Sequence, residues 1–189
     1  MNGLREVHTH KLLHLDIKPA NIYLRADGTP ILLDFGASRQ TLRTDAPKLY
    51  PMYTPGFAPA ELYEKNAELG PWTDIYSIGA SMFACMTGTP PQPVDQRKLD
   101  DKMEEHFRKL EGIYSPKLIQ VVRWSLTVDP LLRPQSVFSL QRALMTPDPK
   151  EEVSFMVKVS RKLRSLFYSR IQFRRALPVA VDTIQENTR

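Results

Sequence analysis

The chain has 189 residues, of which 42% are hydrophobic and 25% are charged, as is typical of a globular protein with one main domain. No run approaches the ~18 uncharged apolar residues that a membrane-spanning helix requires, and a single cysteine, Cys85, excludes an internal disulfide bond. The formal net charge is +5, and residues 150–189 carry all of it, because they contain nine Lys or Arg and four Asp or Glu.

The first 16 residues contain no apolar signal core followed by a small-residue cleavage site. Together with the single cysteine, this pattern predicts a reducing, cytoplasmic location. In its apolar helical surroundings, Cys85 is expected to be a small buried hydrophobic residue.

The first part of the chain predicts the end of a helix followed by a β-hairpin. Apolar spacing over residues 4–12 is helical, and no capping residue precedes it, so the helix is expected to begin before residue 1. Two apolar runs within 22–33 flank Asp27 and Gly28, a pair typical of tight hairpin turns. Residues 37–60 contain four prolines and no sustained hydrophobic period, which predicts a long ordered or switchable loop.

The following residues predict a series of helices. Thr73 is a suitable N-cap for a largely apolar, central helix that Gly88 ends. Further helices are expected over 99–111, from Ser115 onwards, and over 135–145. Their expected core residues are Met103, Phe107, Leu110, Leu118, Val121, Val122 and Leu126.

A proline-rich boundary at residues 147–149 divides the chain into a folded domain, 1–146, and a basic helical tail, 147–189. The tail has an apolar helical stripe with Lys and Arg around it, which has two interpretations. It packs on its own domain with a solvated basic face, or it makes weak contact with an anionic membrane surface and gives a membrane-peripheral protein. Its aromatic residues do not form a recognisable stacking module, so we expect no nucleic-acid partner.

The side chains that phosphoryl transfer requires occur at 14–21 and at the end of the predicted hairpin. Transfer from ATP needs a carboxylate that orients the attacking hydroxyl, a cation near the γ-phosphate and oxygen ligands for Mg²⁺. Asp16, Lys18 and the pair Asn21 and Asp34 supply these groups. A loop followed by a tight hairpin can bring Asp34 back beside Asn21.

Several motifs in order resemble the eukaryotic-type protein kinase family, in particular bacterial Ser/Thr kinases. Residues 14–21, His-Leu-Asp-Ile-Lys-Pro-Ala-Asn, resemble its catalytic loop, and Asp34-Phe35-Gly36 resembles its Asp-Phe-Gly motif. Residues 54–61 resemble the segment that closes the activation loop. The other matching residues are Asp74, the buried aspartate of the central helix, and Arg133, the arginine that pairs with Glu61.

The resemblance implies a mainly α fold of the α+β family: a protein-kinase-like large lobe with a small β-hairpin, lacking the N-terminal β lobe. It implies a Ser/Thr kinase that uses ATP and Mg²⁺ and phosphorylates a protein substrate. Asp16 is then the base, Lys18 the phosphate contact, and Asn21 and Asp34 the magnesium ligands, while Thr54 shapes the substrate pocket. The residues with structural roles are His14, Phe35, Gly36, Thr54, Glu61, Asp74 and Arg133.

Three departures from the family pattern modify these expectations. Leu15 replaces the arginine that usually precedes the catalytic aspartate and binds a phosphorylated loop, which predicts activity independent of loop phosphorylation. Ala60 replaces the usual proline of the closing segment. No two glycines are close enough to form a Gly-rich phosphate loop, and nothing before His14 supplies the usual Lys–Glu pair. The face where a small lobe would sit is therefore expected to be exposed and to recruit a partner.

Three alternatives remain at this point. The chain is a catalytically inert truncated kinase or a kinase-derived binding module. It is a small-molecule phosphotransferase, although such enzymes generally lack Lys18 and the 54–61 segment. Alternatively, His8, His10, His14 and Asp16 form a zinc site, although a helix places residues 8 and 10 about 200° apart around its axis.

Overall fold

The structure, a computed structural model, describes residues 1–40 and 53–146, all of which lie within one compact unit, Met1–Thr146. Its α-helices are α1 (Asn2–Thr9), α2 (Pro71–Thr87), α3 (Val94–Arg97), α4 (Met103–Leu110), α5 (Pro116–Ser125) and α6 (Val137–Met145). Its strands are β1 (Leu12–Leu13), β2 (Ile22–Leu24), β3 (Pro30–Leu32) and β4 (Arg39–Gln40). Short 3₁₀ helices lie at Pro19–Asn21, Ala60–Leu62 and Pro130–Leu132.

The strands form two antiparallel pairs. β2 pairs with β3, with Ile22 opposite Leu32, and β1 pairs with β4, with Leu13 opposite Arg39. The predicted hairpin is confirmed: Gly28 adopts a φ of +80° in the turn, and the Asp27 carboxylate accepts a hydrogen bond from the Thr29 N–H. The short pairs flank the loop that contains residues 14–21.

Helix α2 is central, as predicted, and packs against α5 and α6. Its fully buried side chains include Ile75, Tyr76 and Phe83. Gly79 permits close contact with α5, because a Cβ atom at this position would lie 2.6 Å from the Cβ of Ser125. The apolar character on most sides of α2 therefore reflects neighbours on several faces.

The ends of α2 differ in part from the prediction. The helix begins at Pro71, and Thr73 is its third residue, where its hydroxyl accepts a hydrogen bond from the Gly70 N–H at 3.2 Å. Gly88 ends the helix with a φ of +77°, as predicted. Cys85 is exposed, so the prediction of a buried cysteine is wrong.

Two predicted helices have different bounds. α1 ends at Thr9 instead of residue 12, because Lys11 adopts a left-handed φ of +57° and the chain continues into β1. The helix predicted over 99–111 begins later, since α4 starts at Met103 and Leu99 before it is 90% exposed. Asp101 accepts a hydrogen bond from the Met103 N–H at the start of α4, which explains the later start. The expected core residues of α4 are buried.

The last two helices begin at capping serines. The Ser115 hydroxyl accepts a hydrogen bond from the Leu118 N–H, as expected for the predicted start of α5, whereas Leu118 itself is only partly buried and Ile119 is buried instead. α6 begins at Val137, because Ser136 and Ser139 form a reciprocal capping box. The predicted range 135–145 therefore starts two residues too early.

The predicted basic tail, 147–189, and residues 41–52 of the predicted loop lie outside the described residues. The domain boundary and the membrane contact of the tail stay predictions. Within 1–40 and 53–146, no helix combines the length and the apolar character needed to cross a membrane.

Candidate active site

Four of the predicted site residues lie together around the carboxylate of Asp16. The Lys18 ammonium donates to both Asp16 carboxylate oxygens, at 3.1 and 2.9 Å, and to the Thr54 hydroxyl at 3.0 Å. The Asn21 amide donates to Asp16 Oδ2 at 3.0 Å and to the Asp16 carbonyl at 2.8 Å. The side chain of Asp16 remains 21% exposed, so one polar cluster surrounds a carboxylate that is open to solvent.

The buried carboxylate of Asp74 holds the backbone of this loop. Its Oδ2 accepts a hydrogen bond from the His14 N–H at 2.9 Å, and its Oδ1 accepts one from the Leu15 N–H at 2.8 Å. Leu15 has a left-handed φ of +65°, which costs about 1–2 kcal/mol for a residue with a Cβ atom. Charge-assisted bonds to a fully buried carboxylate stabilise this conformation next to Asp16.

The imidazole of His14 joins the loop to the hairpin. Its Nδ1 accepts a hydrogen bond from the Asp16 N–H at 3.3 Å, and its Nε2 lies 3.0 Å from the Leu33 carbonyl oxygen. The tautomer with a proton on Nε2 satisfies both contacts. The ring also packs against Phe35, with 4.7 Å between the ring centroids. His14 is fully buried, in agreement with its predicted structural role.

A backbone hydrogen bond between Leu33 and Asn21 brings Asp34 close to Asn21. The Leu33 N–H donates to the Asn21 carbonyl at 2.8 Å, which places Asp34 one residue away from this contact. The exposed Asp34 carboxylate accepts a hydrogen bond from the Gly36 N–H at 3.1 Å. A Cβ atom at Gly36 would lie only 3.0 Å from Asp34 Oδ1, so a glycine permits this tight turn. Among the described residues, no hydrogen bond joins the Asn21 and Asp34 side chains.

The oxygens of Asn21 and Asp34 fit a magnesium ion chemically. The Asn21 amide uses its nitrogen to bind Asp16, so its Oδ1 carries no hydrogen bond from the described residues. The Oδ2 of Asp34 likewise has no hydrogen-bond partner among them. A carboxylate oxygen and an amide oxygen are hard donors of the kind that Mg²⁺ prefers.

His8 is a site residue that sequence reasoning missed, because it was considered only as a metal ligand. Its Nε2 lies 2.8 Å from Asp74 Oδ2, so it supports the same carboxylate that holds the loop. The sequence pattern that could have indicated a buried position for His8 is its spacing of four residues from Leu4, which is buried on the same face of α1. His10 instead lies on the exposed side, 3.7 Å from Glu6. No group of three His, Cys, Asp or Glu in the described part of the chain could hold a metal ion.

Glu61 and Arg133 form a buried, two-pronged ion pair. Arg133 Nη1 lies 2.7 Å from Glu61 Oε1, and Nη2 lies 3.0 Å from Oε2. Arg133 also donates to the carbonyl oxygens of Trp72, Thr127 and Val128. The pair therefore ties the end of the 53–61 segment to the loop that precedes α6.

Tyr76 and Arg97 extend this buried network, and neither was predicted from the sequence. The Arg133 guanidinium lies 4.9 Å from the centre of the Tyr76 ring, and Arg97 donates to the Tyr76 hydroxyl at 3.4 Å. Burial raises the pKa of Tyr76, although both arginines act to lower it. Burial acts to lower the pKa of Arg97, but its hydrogen bonds to Asp101 and Tyr76 outweigh burial and hold the pKa above its ordinary value. Arg97 therefore stays charged.

Comparisons with known proteins give one consistent result. A family model described as "Protein kinase domain" matches residues 1–161. Serine/threonine-protein kinase PknA of Nostoc sp. (strain PCC 7120 / SAG 25.82 / UTEX 2576) is 31% identical over 134 residues, 67% of this chain and 23% of that protein. Serine/threonine-protein kinase C of Synechocystis sp. (strain ATCC 27184 / PCC 6803 / Kazusa) is 32% identical over 149 residues, 75% of this chain and 27% of that protein. The chain therefore spans about a quarter of the length of these relatives.

A solved structure described as "PpkA-294 apo form" is similar in backbone, with a TM-score of 0.63. Its sequence is 32% identical, and the match covers 76% of this chain and 50% of that one. The likeness thus extends from the motifs to the arrangement of the helices.

Proposed function

Because the chain belongs to the protein kinase family, we propose that it transfers the γ-phosphate of ATP to serine or threonine hydroxyls of protein substrates. The family as a whole uses ATP with Mg²⁺ and acts on proteins. The observation that carries the proposal is the cluster in which Lys18 and Asn21 both bind the carboxylate of Asp16. The Ser/Thr specificity is supported by the relatives from Nostoc sp. and Synechocystis sp. and by Lys18.

We further propose that residues 1–146 correspond to the large helical lobe of a kinase. The described elements are mainly helices with short strand pairs, and the chain matches half of the PpkA-294 chain. In this assignment, the small β lobe that grips the nucleotide is not contained in residues 1–146.

In the proposed reaction, Asp16 orients the substrate hydroxyl and accepts its proton. Its carboxylate is fixed by Lys18 and Asn21, so little reorganisation is needed when the hydroxyl arrives. Lys18, held between Asp16 and Thr54, places a positive charge where the phosphoryl group is transferred. Asn21 and Asp34 would hold Mg²⁺, which neutralises phosphate charge when bound.

Phosphate transfer from Mg²⁺–ATP labelled at the γ-position to a mixed Ser/Thr peptide pool tests the proposal. The Asp16→Asn chain should lose about 10²–10⁴-fold in rate, because it lacks the base. Asp100→Asn is the matched control, since Asp100 is a 70% exposed surface carboxylate paired with Lys102. Equal rates for the wild type and Asp16→Asn would contradict the proposal.

A second candidate is a kinase-derived binding module that transfers no phosphate. It is favoured by the exposed apolar side chains around the hairpin: Tyr23 is 57%, Leu24 is 64%, Leu33 is 44% and Phe35 is 47% exposed. Such a surface is typical of a binding face. Calorimetric titration with Mg²⁺–ATP distinguishes the two candidates. The kinase binds the nucleotide, whereas a folded chain that binds none would be a binding module.

A further inference from the structure

A groove of about 340 Å³ lies on the part of the molecule that contains the Glu61–Arg133 pair. Its walls come from the residues between the Ala60–Leu62 3₁₀ helix and the start of α2, from Lys98 after α3, and from the loop before α6. The volume is at the lower end of the range of pockets that hold a ligand. Asp16, Lys18 and Asn21 do not line it, so the groove is separate from the candidate active site.

The walls of the groove are held together by one buried side chain. Arg133 binds Glu61 and the Trp72 carbonyl on one wall, and the Val128 carbonyl on the other. These bonds are buried or partly buried, so the groove exists before any partner binds. A preformed site avoids the entropic cost of ordering its own walls.

The lining is mostly apolar and contains an exposed anchor position. Leu131 is 76% exposed although it lines the groove, and the partly buried Trp72 faces the same space. An occupant with an apolar side chain would cover Leu131.

The rim of the groove is acidic. Glu64, Glu68 and Asp129 are exposed carboxylates that line it, and Lys98 is the one cationic side chain among the described residues of the lining. The Lys98–Glu64 contact of 3.1 Å joins side chains that are 51% and 57% exposed, so this ion pair is weak. A cation of a bound partner can therefore replace Lys98 beside Glu64. Glu61 contributes no free negative charge, because Arg133 binds both of its oxygens.

We propose that this groove binds a short basic segment of a partner protein, in which lysine or arginine residues flank one leucine-sized apolar side chain. The apolar side chain packs between Trp72 and Leu131, and the flanking cations pair with Glu64, Glu68 and Asp129. Charge complementarity at the rim selects the basic segment, and the small volume limits the anchor to one side chain. This binding does not depend on phosphotransfer.

Fluorescence anisotropy with the full chain and a fluorescein-labelled peptide whose sequence does not occur in this chain, Gly-Ala-Lys-Arg-Leu-Lys-Arg-Gly, tests the proposal. Binding should weaken at least fivefold in the Glu64→Gln/Glu68→Gln chain and in Leu131→Ser. The matched control is Glu105→Gln/Glu111→Gln, which removes the same charge from exposed positions on and just after α4. The control should bind the peptide as the wild type does. All four glutamates are exposed, so the fold is expected to tolerate each change.

Two further readouts separate this site from nonspecific charge attraction and from self-association. A peptide with serine in place of leucine should bind the wild type at least threefold more weakly. Equal binding of the leucine peptide to the wild type and the Glu64→Gln/Glu68→Gln chain would overturn the proposal. A dimer of the peptide-free chain that the same two substitutions dissociate would also overturn it, because a second copy would then be the occupant.

Discussion

At the level of single residues, the Glu61–Arg133 pair is expected to make a large contribution to stability. Glu61→Gln leaves the Arg133 guanidinium buried without its counter-ion, which typically costs about 3–5 kcal/mol. Urea unfolding of the two chains measures this difference. Arg133 keeps its carbonyl contacts in this variant, so a value near 3 kcal/mol is expected.

Glu64→Gln is the control for this measurement, because Glu64 is three residues away and 57% exposed. It should change the free energy of unfolding by no more than about 0.5 kcal/mol. If both variants lost the same small amount, the pair would not stabilise the fold as described.

Asp101 should make stability depend on pH. Burial acts to raise the pKa of Asp101, but hydrogen bonds from Arg97 and from the Met103 N–H hold it below its ordinary value. A group whose pKa is lower in the folded protein stabilises the fold at pH values above its unfolded-state pKa, which is about 3.9 for aspartate. This stabilisation is lost as the pH falls through the lower pKa of the folded state. The side chain is 40% exposed, so the contribution is less than about 1 kcal/mol.

The free energy of unfolding of Asp101→Asn should therefore fall below that of the wild type at pH 6, and the gap should narrow at pH 3. Denaturant titrations at the two pH values measure it. A gap that widened at pH 3 would contradict the assigned direction.

At the level of elements, the close packing of α2 against α5 depends on Gly79. Gly79→Ala places a Cβ atom 2.6 Å from the Cβ of Ser125, so the helices must separate, at a cost of about 1–3 kcal/mol. Gly3→Ala is the matched control, because Gly3 lies in α1 and a Cβ atom there meets nothing within 4 Å. The control should be neutral or more stable by up to about 1 kcal/mol. Thermal unfolding that ranked the two variants in the opposite order would refute this packing.

The segment around residues 53–62 is held to the catalytic loop by apolar contacts. Leu15 is buried in a cluster whose other members are Leu13, Ala58 and Leu62, with Ala37, Tyr53 and Leu69 packed against it. A leucine here cannot bind a phosphate group, whereas the arginine usual in similar kinases can. The segment therefore has a phosphate-independent anchor.

We expect the Thr41→Ala/Thr44→Ala chain to transfer phosphate at the wild-type rate, although these two residues lie outside the described ranges. Leu15→Arg should lower the rate, because it buries a charge in the apolar cluster. Loss of activity in the double alanine chain, with recovery in Thr41→Glu/Thr44→Glu, would contradict the prediction.

The predictable elements were those with local signals. Asp27-Gly28, Gly88 and Ser115 each specify a turn or a helix end through their own backbone or side-chain chemistry, and the structure has those features. The start of α4 was predicted four residues too early, because Asp101, which accepts a hydrogen bond from the Met103 N–H, was taken for a residue inside the helix. The early end of α1 was missed, because a left-handed lysine carries no sequence signal.

At the level of the whole molecule, the order of the motifs indicated which residues would lie together, but not what holds them in place. Asp16, Lys18, Asn21 and Thr54 cluster as the resemblance implied. The contact of His8 with Asp74 joins residues that are distant in sequence, so the spacing of His8 from Leu4 indicated its burial but not this partner. The burial of Arg97 likewise depends on the packing of helices that are separate in the chain.

The rate of γ-phosphate transfer by the full chain as Mg²⁺ is varied is the decisive measurement for the proposed kinase activity. The wild type and Asp100→Asn should transfer phosphate at a Mg²⁺-dependent rate, and Asp16→Asn should show only background transfer. Asp34→Asn should need at least tenfold more Mg²⁺ for half of its maximal rate, because it loses a charged ligand. Transfer that is independent of Mg²⁺, or that Asp34→Asn and Asp16→Asn leave unchanged, would contradict the assignment of these residues to a kinase site.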